Sequence, residues 1–196
     1  TMPARLLDQM KDFLPSSVDE LIQGEPCESE LGLLHADLHG EHGRFSLLEG
    51  EEGEKGEKMK NMKVKMEGVI DFGDAIVGNR LYEMVQVLLS SFLGDKRMLV
   101  AFVREYLGPD FLERLSSPSE EREKNEKTNE PCSSRKEKFV YHCMCYTLIH
   151  ECNALASSSY RFDFDKIDSL DTMAHMLWDI TDLDLVAPLL PREEKN

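Results

Sequence analysis

The sequence predicts an α+β fold, mostly α-helical, in which a small β-hairpin carries the chemistry. Three observations predict it. The apolar run LGLL enters an octet of polar, ionisable residues, HADLHGEH at 35–42. A second apolar stretch, from Val64 to Ile70, ends at once in an acidic turn. From residue 81 onward, apolar side chains recur at helical rather than strand spacing.

Taken in order, residues 2–23 read as helix. Pro3 suits a first turn, and Leu6, Leu7, Met10, Phe13 and Leu14 repeat near helical spacing before Pro15 ends the run. Ser17 with Glu20 resembles a capping box for a short helix over 18–22. Residues 24–30 read as loop and 31–34 as a short buried strand. Residues 44–48 form a second strand. The following EGEEGEKGEKMKNMK, 49–63, has glycine every third residue but no proline and no G-K-[ST] ending. It is therefore neither collagen-like nor a phosphate-binding loop, and is expected to be a mobile insertion at a hairpin tip. Residues 64–70 resume as strand. Residues 81–93 are apolar around nearly the whole circumference, as in a buried helix. Residues 98–107 form another, stopped by Gly108-Pro109. Residues 116–138 contain no aliphatic or aromatic side chain and are expected to be a disordered loop. A long apolar helix is expected over 139–157, and an amphipathic one over 168–180 carrying Trp178. The organisation is thus an N-terminal helical segment at 1–30, one lobe at 31–187 with two insertions, and a polar tail at 188–196.

At 196 residues the chain suits one domain with a real core. Its formal charge of −15 repels nucleic acid and anionic lipid, so neither is an expected partner. No run is long and apolar enough for a membrane span. The five cysteines are odd in number, and Cys143-x-Cys145 lacks zinc-knuckle spacing. They read as reduced thiols, which with the lack of a charged-then-apolar leader predicts a cytoplasmic or nuclear protein. The opening Thr1 leaves room for parts of the domain upstream.

The octet raises two chemistries. His35-x-Asp37 opens a two-histidine, one-carboxylate iron site, which needs a distant histidine such as His142 or His150. Asp37 is equally placed as the base of a phosphotransferase. The second reading gains from VIDFGDA at 69–75. A strand finishing in Asp71 and followed by Phe-Gly-Asp presents a carboxylate at a sharp turn, where Gly73 is expected to permit a backbone path that other residues resist. Such a carboxylate suits magnesium. If the strands pair, Asp37 and Asp71 meet at one edge, as phosphoryl transfer requires.

HADLHGEH, VIDFGDA and GNRLYEM together resemble the C-terminal lobe of the aminoglycoside phosphotransferase and choline kinase superfamily, whose motifs run H-G-D-L-H-x-x-N, I-D-(F/W)-(G/E)-D and G-D-P-x-x-D-L. The match spans about residues 31–93. FVYHCMCYTLIHECNALA further resembles the late helix of such domains found C-terminal to Jumonji-C modules in plants and algae. The resemblance implies a protein-kinase-like C-lobe, with ATP and Mg2+ as cofactors and a small-molecule hydroxyl acceptor. It casts Asp37 as catalytic base with His35 supporting its loop, Asp71 as metal-binding aspartate and Asp74 as the second acidic group at the cofactor. His39 and Glu83 become structural supports. Three departures stand beside it. His42 occupies the slot of the family's metal-binding Asn, Asn79-Arg80 replaces Asp-Pro, and no nucleotide-binding N-lobe precedes residue 31, so an upstream lobe or partner domain is implied. These departures keep a second class open, an inactive kinase-like interaction module; a Fe(II)-dependent oxygenase is the third.

Overall fold

The computed structural model describes residues 2–23, 31–48, 63–117, 134–151, 155 and 162–184. Helices predominate, and the described strands form two separate two-stranded antiparallel sheets. β1 (Gly32–Leu34) pairs with β4 (Ile76–Gly78), matching Gly32 to Gly78 and Leu34 to Ile76. β2 (Gly43–Leu48) pairs with β3 (Lys63–Val69), with an irregularity between Arg44 and Phe45. The β1–β4 sheet is closely fitted at Gly78, where an added Cβ would lie 3.0 Å from Leu34 Cδ1. Residues 49–62, expected as an insertion, lie outside the described residues between the paired β2 and β3. Lys63, which the sequence reading assigned to that insertion, belongs to β3.

Two strand expectations need correction. The strand expected over 64–70 stops at Val69, just before Asp71 takes a left-handed backbone with φ 67°. β4 was not anticipated at all: a three-residue strand is too short to show period-2 patterning.

The helical core builds on α3 (Arg80–Gln86), which Asn79 caps by accepting from Leu81 N at 2.7 Å. Asn79 thus starts the helix without the expected Asp-Pro. The predicted single helix over 81–93 passes instead into a π-helical turn, Val87–Ser91, and ends before Leu93, which is exposed with φ 49°. α4 (Lys96–Tyr106) is capped by Asp95 and stopped by Gly108, whose φ of 96° suits only glycine well. The six-residue α5 (Phe111–Ser116) follows and buries Phe111 and Leu115.

α6 (Arg135–Ile149) starts four residues earlier and ends eight earlier than the apolar pattern predicts. Ser134 Oγ accepts from Glu137 N at 3.1 Å and nucleates a polar first turn, so residues 135–138 are helix, not loop. Ser116 likewise closes α5; residues 118–133 lie outside the described residues. α7 (Leu170–Trp178) is capped by Ser169.

α1 (Ala4–Phe13) and α2 (Val18–Gln23) add Leu6 and Leu21 to the same core as α3, α6 and α7. Gln9 accepts from Leu170 N at 2.9 Å, tying α1 to the start of α7. Glu20 N donates to Ser17 Oγ at 3.2 Å, while the Glu20 carboxylate returns to Ser16 N and its hydroxyl rather than to Ser17. Cys143 and Cys145 are fully buried, and burial pushes the Cys145 thiol up to about 11. Among the described residues no helix is long and apolar enough to cross a membrane.

His150 links this core to pH. It is buried beside α3, its ring stacked on Tyr82 with centroids 4.2 Å apart. Burial pushes its pKa down from 6.5 to about 4, against the opposing pull of the Asp37 carboxylate. The unfolded chain therefore binds the proton more readily than the folded one. Stability from this group is full above about pH 6.5 and falls as pH drops toward 4, by on the order of 2 kcal/mol at pH 4.5. His150→Phe, which keeps the stack, should flatten this part of the urea-midpoint profile between pH 6.5 and 4.5. An unchanged slope would refute the assignment.

Candidate functional site

The octet forms a loop held from behind. Glu83, buried in the first turn of α3, accepts from His35 N at 2.6 Å and Ala36 N at 3.2 Å through one carboxylate oxygen. Between them Ala36 sits at φ 67°, the left-handed conformation that an L-residue enters at a cost of about 1–2 kcal/mol. His35 is itself buried. Its Nε2–H donates to Ile70 O at 2.7 Å, and its ring lies against Phe72 with centroids 4.7 Å apart. These contacts make His35 a brace for the loop.

Asp37 follows at the open end, partly buried. Its Oδ1 receives Gln86 Nε2 at 3.4 Å, and its Oδ2 lies 3.8 Å from His39 Nε2. The short 3-10 turn Gly40–His42 then folds back, so that His42 Nδ1–H donates to Asp37 O at 2.8 Å. The His39 and His42 rings pack with centroids 3.7 Å apart.

The second loop arrives where Ile70 N donates to His42 O at 3.0 Å. The next residue, Asp71, repeats the left-handed φ of 67°, which brings its Oδ2 to 3.6 Å from His42 Nε2. The cluster is therefore Asp37, His39, His42 and Asp71, with His35 and Glu83 behind it. Asp74, expected at the cofactor, is exposed on the 3-10 turn Phe72–Asp74 and outside this cluster.

The expectation for Gly73 is overturned. The left-handed residue of this turn is Asp71, not Gly73, and a Cβ at Gly73 would meet only Asp71 Oδ1 at an ordinary 3.7 Å. Gly73→Ala should accordingly change the unfolding midpoint by less than about 1 kcal/mol in free energy. A larger loss by denaturant titration would restore a conformational role.

Gln86 was missed by sequence reasoning. The signal was present: it is a polar residue within the nearly all-apolar stretch 81–93, one turn after Glu83. The iron-oxygenase alternative finds no support in this architecture. Its double-stranded β-helix is absent among the described residues, where the sheets are two-stranded. His142 instead faces Lys138 O at 2.6 Å and Leu21 O at 3.1 Å inside the helical core.

The chain matches no family model and no solved structure.

Proposed function

We propose that this chain is the acceptor-side half of a small-molecule phosphotransferase, a protein-kinase-like C-lobe of the aminoglycoside phosphotransferase and choline kinase type. The observation that carries the reading is convergence. Asp37 after β1 and Asp71 after β3 meet on one imidazole pair, 3.8 and 3.6 Å from His39 and His42. In the mechanism, Asp37 orients the acceptor hydroxyl and takes its proton as the oxygen attacks the γ-phosphorus of ATP. The bond to the β-phosphate oxygen breaks and ADP leaves. Gln86 and the Glu83-braced loop hold Asp37 at its angle; His35 contributes through that bracing.

The magnesium implied by the resemblance fits half of the donor set. Asp71 offers the hard oxygen that Mg2+ takes, but His42 offers an imidazole, a poor magnesium ligand. Nucleotide binding needs an N-lobe from upstream residues or a partner domain. The exposed Leu33 and Val77 of the β1–β4 sheet, 70% and 71% accessible, supply an apolar face for such a lobe. A cationic acceptor of the aminoglycoside or choline kind agrees with the charge of −15, and nucleic acid and membrane surfaces do not.

The test uses the complete gene product with ATP, a panel of small alcohols and aminoglycosides, and phosphorus NMR of the products. ADP and a phosphate monoester formed in equal amounts support the reading. No nucleotide binding at millimolar ATP, with an N-lobe present and folded, overturns it. His42 in the amide slot favours one second reading, an inactive kinase-like interaction module, which that result would select.

A further inference from the structure

We infer that Asp37, His39 and His42, with Asp71 alongside, form a site for a divalent transition-metal ion of the zinc class. One ligand atom from each of the first three lies within 4.8 Å of the others. His42 is set as a ligand by its own hydrogen bond. Because Nδ1–H donates to Asp37 O at 2.8 Å, the neutral ring carries its lone pair on Nε2, 3.6 Å from Asp71 Oδ2. A ligating histidine characteristically gives its other N–H to a backbone carbonyl or carboxylate in this way.

That nitrogen and the Asp71 carboxylate oxygen both face the gap between them. His39 Nε2 lies 3.8 Å from Asp37 Oδ2. Both separations are too long for a hydrogen bond. Both lie close to roughly 3.3 Å, the edge of a tetrahedron with bonds of about 2.05 Å. His39, Asp37 and Asp71 all retain solvent access, so closing the set onto an ion needs only side-chain rotation. Two imidazoles with carboxylates suit Zn2+, Co2+, Mn2+ or Fe2+ and are a poor cage for Mg2+ or Ca2+.

This assignment rests on donor geometry rather than on phosphoryl transfer, although it shares Asp37 with that reading. Cobalt(II) is the probe, added to the 196-residue chain and followed by visible absorption and titration calorimetry. The expected result is one ion per chain with the d–d bands of four- or five-coordinate cobalt, displaced by Zn2+ and not by excess Mg2+. His42→Ala and His39→Ala should each weaken binding on the order of 100-fold, at or beyond the 10–100-fold typical of supporting residues. His175→Ala, on α7, should leave it unchanged. Circular dichroism confirms that each variant is folded; if His42→Ala is not, the partly exposed His39→Ala decides. Absence of cobalt binding at millimolar ion overturns the site, as does binding that both variants retain. Thiolate-to-cobalt absorption in the near ultraviolet would do the same by assigning the ion to cysteine. Cobalt binding in a chain that transfers no phosphate would refute the phosphotransferase alone.

Discussion

On the proposed phosphotransferase reading, Asp37→Asn should lower turnover of the complete protein by about 10²–10⁴-fold while leaving ATP affinity nearly unchanged. The amide keeps the volume and one acceptor oxygen, so the Gln86 contact and the loop bracing by Glu83 survive. What it loses is basicity. A group that accepts the acceptor's proton only as the new bond forms contributes at the transition state and little in the ground state. Steady-state kinetics with saturating ATP should therefore show kcat and kcat/KM for the acceptor falling together. A rise in KM with kcat intact would mean that Asp37 only binds the acceptor, and an unaltered kcat would remove it from the mechanism.

The largest effect on stability is expected at Trp178. Trp178→Ala should cost about 3–5 kcal/mol, because the surrounding side chains cannot collapse into the space of an indole. The indole is fully buried at the end of α7, and its N–H donates to Thr147 Oγ1 at 3.1 Å on α6. Thr147 passes that polarity on by donating to Cys143 O at 2.7 Å. Trp178→Phe separates the two contributions: it keeps most of the volume and removes the donor, and should cost less. Urea unfolding of both variants checks this. A loss below about 1 kcal/mol for the alanine variant would show that α7 does not anchor the core.

Much of this was readable from residues alone where a pattern is long enough to repeat. The apolar spacing of α1, α4 and α7 announces their buried faces. The Asp37 and Asp71 motifs are legible because two acidic turns follow two short apolar runs. What stayed hidden was shorter or longer in range than any pattern. β4 and α5 have three and six residues, too few for a period. The first turn of α6 is polar because a serine cap, not burial, begins it. Glu83 is expected as a brace for the loop only through the family resemblance; its bonds to the His35 and Ala36 amides join residues 48 and 47 apart, beyond the reach of any local pattern. Gly73 misled for the opposite reason. Glycine usually marks a left-handed turn, yet here the aspartate two positions before it adopts that backbone.

The bracing of this loop also sets its kinetics. The His35 and Ala36 amides are satisfied by a carboxylate on one of the most buried helices, at a sequence distance that only a docked α3 can close. In hydrogen exchange these two loop amides should open only with α3, while the amide of Gly40, an exposed residue, should exchange faster. The same distance orders folding. Glu83 can reach the loop only once α3 is docked, so Glu83→Gln should speed unfolding far more than it slows folding. The loop that carries Asp37 is then expected to form late and to open together with α3.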